Sequence, residues 1–439
     1  MADADLTCQS LVYVCLMSDY SLPNLEAIMV RQPSDVVLIV TNYPPARDAA
    51  DRLAEVLKNR LPMLTLHRPD QQLGAEAFSG DNPIEAQHWV DHVLAPFLEH
   101  FQSQPCWLNM TGGTKALSLA MLVRLSWDGI DYKPAGKNEL LHFNLRPDGN
   151  ALAQLNDVGS HAARTPLSDI DATDVARLYN HSVNTSESKA KMFAEPERYT
   201  LAEAIFSGLS EQDTGLEALF ALFNHVWSEQ RDDIALKVPK VALSIPEALS
   251  KTGHPQAITD IQAWLERFNA LADAFHLDHQ TLTLPGNAKL PTNIQALKRW
   301  LESEWLEQLV YHWVRQARVP ERGIALNVYG GEDPRNSSTH READLLIQHL
   351  SRTYVIEIKA AIPPDSNIRA IQTQLASLQD HFGRAQLILF VGPVFRHQLS
   401  EEKWQAFVDR ATAGNSRVCS TRDELLAALN LQPSQGNAA

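Results

Sequence analysis

The chain has 439 residues, 44 % of them hydrophobic, and a formal net charge of −15 at pH 7. That length accommodates about three domains of ordinary size, and the acidity excludes a protein that coats nucleic acid indiscriminately. The four cysteines form no CxxC pair and no apolar run reaches about 18 residues, so neither a zinc site, a disulfide framework nor a membrane partner is suggested, and a cytoplasmic location is expected.

Residues 1–158 alternate in period. Strand-like runs at "SLVYVCLM", "DVVLIVT", "PMLTLH", "PCWLNM" and "ELLHFNL" are separated by helical patterns such as "ARDAADRLAEVLKNRL". This repetition implies a mainly parallel sheet covered on both faces. Ligands of such sheets sit beyond the carboxyl ends of the strands, where the loops "SDYSLPN", "TNYPP" and "TGGTK" are expected. The last joins a buried strand to a helix beginning near Thr114, and a helix's free N–H groups and dipole make an anion site. Gly112 and Gly113 allow close backbone approach, and Lys115 adds charge. The GxxxxGK[ST] spacing of a Walker loop is absent. Taken alone the stretch reads equally well as a tight strand-to-helix turn; three such loops at one edge favour a ligand cradle.

Residues 159–290 read as a mainly helical connector and dimerisation region, with "GLEALFALFNHVWSEQ" and "ITDIQAWLERFNALADAF" as its clearest amphipathic stretches and "NHSVNTSESKAK" as an exposed loop. As the only covalent route between the halves, it is expected to carry rigid-body motion. Residues 432–439 read as a disordered tail.

Residues 291–431 form a second α/β unit. A long helix, "TNIQALKRWLESEWLEQLVYHWVRQAR", precedes strands at "GIALNVYG", "EADLLIQ" and "TYVIEIKAA", then a helix, "NIRAIQTQLASLQDHF", a strand, "AQLILFVG", and another helix. Residues 297–430 carry 16 basic and 16 acidic residues, so the acidic excess lies elsewhere and this third is the part suited to a polyanion. Alternation puts Glu357 and Lys359 on one face of their strand, and Asp344 interrupts an apolar run in the strand before. A carboxylate within a buried strand is costly unless paired or bound to a cation. Asp344 and Glu357 suit Mg²⁺ or Mn²⁺, and Lys359 could orient or deprotonate a water, or stabilise charge on a phosphate. Glu307 shares an inward helical stripe with Trp300, Tyr311 and Val314 and supplies a third carboxylate; Glu304 shares that stripe, and the spacing leaves the choice open. His340, near Asp344, reads better as a surface residue. The competing reading is an exposed Asp344–Lys359 cross-strand salt bridge.

With both sites in view, the chain resembles the CARF-domain nucleases that accompany type III CRISPR systems, in the group joining a CARF sensor to a PD-(D/E)xK nuclease. "MSDYSLPNLEAI", "VVLIVT" and "NMTGGTKALSLA" carry the sensor half of the resemblance; "WLEQLVY", "READLLI" and "YVIEIKA" carry the nuclease half. It implies a Rossmann-like CARF domain, a connector and a restriction-endonuclease-like domain in an α/β chain. It further implies a homodimer binding a cyclic oligoadenylate, cyclic tetra-adenylate by the habit of the group. Ser18, Asp19, Thr41, Asn42, Thr111, Gly112, Gly113, Thr114 and Lys115 match the ligand contacts. Glu307, Asp344, Glu357 and Lys359 match the catalytic positions, the three carboxylates holding Mn²⁺ or Mg²⁺, and Gln372 is a candidate for positioning the substrate backbone. The implied reaction is nicking of DNA, cleavage of single-stranded DNA or RNA, or both, with little sequence preference. A ligand-responsive DNA-binding regulator requires a basic recognition helix, which the sequence does not show; a ring nuclease that degrades the messenger is the other alternative.

Overall fold

The computed structural model describes residues 9–72, 78–145, 163–167, 169–183, 193–227, 238–245, 258–330, 342–361, 368–382 and 384–431. Within the first part, the apolar runs become β1 (Gln9–Leu16), β2 (Pro33–Ile39), β3 (Thr65–His67) and β4 (Cys106–Asn109), followed by β5 (Gly129–Tyr132), β6 (Glu139–Asn144) and β7 (Ala163–Pro166). The sheet order is β3-β2-β1-β4-β5-β6-β7. Strands β1 to β5 are parallel neighbours, and β6 and β7 add antiparallel. Alternation along β1 sends Tyr13 and Cys15 to one layer, with helices Leu22–Arg31 and Pro44–Arg60, and Val12, Val14 and Leu16 to the other, with helices Pro83–Trp89 and Lys115–Arg124. Strand order reverses between β1 and β4, so the crevice beyond their carboxyl ends is a topological switch point, the usual ligand position in such sheets.

Strand β5 was not among the expected strands, because "GIDY" is short and centres on a charge. Asp131 is tolerated at full burial because Arg31 binds both its oxygens at 2.7 Å and the Tyr13 hydroxyl donates to it at 2.7 Å.

The middle of the chain, read as mainly helical, holds short strands beside its helices. Helices Ala172–Leu178, Pro196–Ser210, Thr214–Trp227 and Ile258–Asn269 are present. So are β8 (His181–Val183) and an antiparallel sheet of β9 (Lys240–Ser244), β10 (His276–Asp278) and β11 (Thr281–Pro285). Three to five residues of alternation per strand are too few to stand out beside long amphipathic helices.

The last sheet contains β12 (Ile324–Gly330), β13 (Glu342–His349), β14 (Arg352–Lys359), β15 (Gln386–Val391) and β16 (Ser416–Cys419), in the order β16-β15-β14-β13-β12-β8. Strands β12 to β14 are antiparallel and β14 to β16 parallel, with helix Ile368–Phe382 crossing between β14 and β15. The long helix is one run, Thr292–Gln316, with a π-helical segment at Trp300–Glu304, a feature common at functional sites. Its Trp300 and Trp305 are buried with the middle helices in one core. The exposed loop expected at residues 180–191 is corrected at His181–Val183, which form β8 with His181 buried; its residues 184–191, His340 and the 432–439 tail lie outside the described residues.

Helix Ala172–Leu178 is wedged between the halves. On the sensor side Arg60 Nε reaches Asp174 at 2.5 Å and Arg52 Nε donates to the Leu178 carbonyl at 2.9 Å; its other side packs on β8, β12 and β13.

Candidate functional site

The acidic constellation forms where the β13–β14 ladder ends. The last paired residues are Leu345 and Ile356, so the same register sets Asp344 beside Glu357. There the Asp344 carboxylate, not a main-chain carbonyl, accepts the Ile358 N–H at 2.6 Å. Lys359 Nζ lies 2.5 Å from Glu357 Oε1, and Gln374 Nε2 donates to the same oxygen at 2.7 Å. Glu357 is only 2 % exposed, and its Oε2 is buried with no hydrogen-bond partner among the described residues. The lysine therefore pairs with Glu357 inside the fold, which corrects the reading of an exposed Asp344–Lys359 bridge.

Burial pushes the Asp344 carboxyl well above the usual carboxylate range, and the charges of Glu357 and Glu307 push it further. Burial also raises Glu357, against the pull of Lys359. For Lys359, burial acts downward, but Glu357 and Asp344 outweigh it and hold the ammonium above its ordinary value. Lys359 thus stays charged at neutral pH, which suits it to stabilising phosphate charge rather than to taking a proton.

Glu307 is buried and acts electrostatically on Asp344, Glu357 and Lys359. Glu304, one turn earlier, is bound by Arg299 at 3.0 Å. Of the two glutamates, Glu307 is the one whose charge bears on the cluster. Gln374, not Gln372, reaches Glu357; Gln372 Nε2 is buried without a partner among the described residues. Both glutamines flank the inward stripe of Ile371, Leu375 and Leu378, so helical spacing alone could not choose between them.

Among the described residues no group of three or more His, Cys, Asp or Glu side chains is arranged to hold a metal ion unaided. The donor set nonetheless fits a hard divalent cation. Two mutually repelling carboxylates share one ammonium, Lys359, and keep one buried oxygen without a hydrogen-bond partner among the described residues, and such cations complete their shell with water and phosphate oxygens. The same repulsion has a consequence for stability. Folded-state values raised above the unfolded ones stabilise the fold at low pH, and that contribution is lost as pH rises through the raised values. In metal-free protein at pH 8, Asp344→Asn is expected to raise the midpoint of thermal unfolding by about 2–4 °C, read by calorimetry; a lowered midpoint would contradict the strained pair.

The second site lies at the switch point. Cys15 of β1 pairs with Asn109 of β4, and two buried asparagines pin the loops above. Asn24 Nδ2 donates to the Leu16 carbonyl at 3.0 Å, Asn109 Nδ2 to Asn24 Oδ1 at 2.9 Å, and Asn109 Oδ1 accepts the Thr111 N–H at 3.1 Å and its hydroxyl at 2.6 Å. Sequence reading did not single out these asparagines; their position at a strand end and in a helix was the available signal. Thr114 caps helix Lys115–Arg124 by accepting the Leu117 N–H and donates to the Gly80 carbonyl. Asn42 N donates to the Phe78 carbonyl at 2.9 Å, and Gly80 packs on Thr41 and Thr114. Thr41, Asn42 and Thr111 to Lys115 thus share one edge with residues 78–80. Ser18, whose hydroxyl donates to the Tyr20 carbonyl, and exposed Asp19 follow the end of β1 at that edge.

The two glycines are required from below. A Cβ on Gly112 would collide with the Leu16 carbonyl, and Gly113, at φ +74°, would press one on the Leu16 side chain. This alters the reason for their identity: they let the loop settle on β1, whatever its N–H groups face. Gly112→Val is accordingly expected to lower the thermal midpoint of the sensor, measured by scanning calorimetry, and not only to weaken a ligand.

A doubly wound sheet with a polar loop cradle, joined to a mixed sheet bearing an Asp…Glu-x-Lys cluster, is the two-part α/β architecture that the resemblance implied. No family model and no curated protein matches the chain. Among solved structures, protein VC1899 from Vibrio cholerae is similar over 96 % of this chain and 96 % of its own, with a TM-score of 0.65 and 18 % identity. Can2 from Sulfobacillus thermosulfidooxidans, solved in complex with cyclic tetra-adenylate, is similar over 95 % of this chain and 96 % of its own, with a TM-score of 0.61 and 15 % identity. At such identities the likeness establishes the fold. No helix among the described residues is long and apolar enough to cross a membrane.

Proposed function

We propose that the chain is a cyclic oligoadenylate-activated, metal-dependent endonuclease of type III CRISPR defence, cleaving DNA, single-stranded RNA or both with little sequence preference. The observation that carries this reading is the cluster of buried Glu357 with half-buried Asp344 and Lys359 at the open end of a hairpin, in a chain whose other half holds a polar cradle. Asp344, Glu357 and Glu307 would hold Mn²⁺ or Mg²⁺, which when bound supplies Lewis-acid charge at the phosphate and a more acidic water. Lys359, kept cationic, stabilises negative charge on the reacting phosphate. Lys359 and Gln374 together fix the orientation of Glu357. A site that binds phosphates without a base-reading element has low sequence preference. The fold shared with Can2, whose structure holds cyclic tetra-adenylate, makes that ring the first activator to test.

A symmetric cyclic ligand implies a two-fold dimer. Helices Pro83–Trp89 and Lys115–Arg124 pack together beside the cradle and leave Ile84 (79 % exposed), Leu119 (53 %) and Val123 (52 %) facing outward. A second copy covering this apolar stripe fits the reading.

The deciding experiment combines purified protein, Mn²⁺, plasmid DNA and single-stranded RNA, with and without cyclic tetra-adenylate. Cleavage that needs both metal and ligand supports the function; no cleavage of either substrate under any condition sinks it. For the cradle, Lys115→Glu is expected to weaken cyclic tetra-adenylate binding by at least about tenfold, 1.4 kcal/mol. The same change puts an anion at a helix N-terminus and should not lower thermal stability. Unchanged affinity by calorimetry would show that Lys115 does not face the ligand.

A further inference from the structure

The β13–β14 hairpin reaches from the acidic cluster to the sensor. One end carries Asp344 and Glu357. At the other, His349 pairs with Arg352 and the chain turns through Leu350 and Ser351, both left-handed at φ 47° and 60°. Two-residue turns of this kind favour Asn-Gly, and a leucine held there is strained. Leu350 is 47 % exposed, so packing of its side chain does little to hold the turn. What grips the turn belongs to the sensor. The Ser351 hydroxyl donates to Asn138 Oδ1 at 2.8 Å, and Ser351 favours the ionised form of the Glu26 carboxyl, against the burial that raises it.

Glu26, 1 % exposed, forms an ion pair with Lys133, 8 % exposed, at 3.1 Å. The Lys133 N–H donates to Thr111 Oγ1 at 2.9 Å, and Thr111 opens the glycine loop of the cradle. A second contact runs alongside: the Arg384 guanidinium lies 4.8 Å over the ring of Tyr20, whose carbonyl accepts the Ser18 hydroxyl. Beside the turn is a cleft of about 240 Å³ lined by Asn138, His349, Leu350 and Arg352 among others, which gives the turn room to shift.

We propose that this line of contacts, from Thr111 through Lys133 and Glu26 to Ser351, is the route by which the sensor sets the geometry of Asp344 and Glu357. It acts within one protomer, across a non-covalent seam, and does not pass through the connector. The hairpin is the two-position element: its strained turn is clasped in one state and displaced toward the cleft in the other, and its far end moves the metal-binding carboxylates. This rests on the ligand-gated reading above. A coupling of this kind requires differential contacts in the two states, and a buried ion pair joined to a strained turn supplies them.

The test uses full-length protein. Ser351→Gly removes the hydroxyl yet suits the left-handed backbone, and Glu26→Gln keeps the side-chain shape. Each is expected to bind cyclic tetra-adenylate, Ser351→Gly with an unchanged thermal midpoint and Glu26→Gln with a lowered one because Lys133 loses its partner, while the ratio of Mn²⁺-dependent cleavage with and without ligand falls at least about tenfold. The double variant should fall no further than the weaker single one, because both lie on one route. Wild-type ratios in both single variants would overturn the route and return the coupling to residues 159–290. A second measurement needs no ligand. Thr111→Val, which breaks the bond to Lys133, is expected to raise amide hydrogen exchange at residues 343–347, on the far side of the seam. Unchanged exchange there overturns the route even if the nuclease is ligand-gated. Raised exchange in a protein that no cyclic oligoadenylate activates supports the route and sinks the gated reading alone.

Discussion

Glu357→Ala and Lys359→Ala are each expected to lower Mn²⁺-dependent cleavage by at least about 10²-fold while leaving cyclic tetra-adenylate binding unchanged. The two substitutions fail for different reasons. Without the Glu357 carboxylate, Asp344 loses its neighbouring donor, and Lys359 and Gln374 lose the group they orient. Without the ammonium, two buried carboxylates repel with less compensation, and nothing at that position balances charge on the phosphate. Metal titration followed by calorimetry separates the cases: Glu357→Ala should weaken Mn²⁺ binding, whereas Lys359→Ala should bind it at least as well and still fail to cut. Near wild-type cleavage by either variant at saturating Mn²⁺ would remove the cluster from the reaction.

The second large effect concerns gating. Full-length protein is expected to cut at least about 100-fold faster with cyclic tetra-adenylate than without. A ratio of that size requires the ligand to bind the active arrangement about 100-fold more tightly than the idle one, roughly 2.8 kcal/mol. Such discrimination cannot come from a phosphate-binding loop alone, since a loop that binds equally in both states shifts nothing. It requires the loop to change its grip on something outside the sensor. Plasmid nicking against ligand concentration, with small-angle scattering on the same samples, measures both the ratio and the accompanying compaction of a dimer. Equal activity with and without every ring size tested would sink the switch.

Much of this protein is determined locally. Short apolar runs between helical patterns placed β1 to β4, β6 and β12 to β15, because such a run is a property of neighbouring residues and survives wherever the strand is buried. The glycine loop fell between β4 and helix Lys115–Arg124 for the same reason: a strand that ends in Asn109 and a helix capped by Thr114 are both written within ten residues. Glu357 and Lys359 fell on one strand face because they are two apart.

What only the tertiary structure decided depends on partners far away in the chain. Asp344 stands beside Glu357 because of the β13–β14 register, and a shift of one residue would have turned it to the opposite face. Glu307 acts on the cluster while Glu304, one turn earlier, pairs with Arg299. Gln374 rather than Gln372 reaches Glu357 because of how helix Ile368–Phe382 lies across the sheet. The glycine at 112 is required by the Leu16 carbonyl, which belongs to another strand. The grip on Ser351 comes from Asn138, 213 residues earlier. None of these has a local signature, since which backbone or side chain faces a residue across a core is fixed only when the layers close, and burial then settles which charges must be paired.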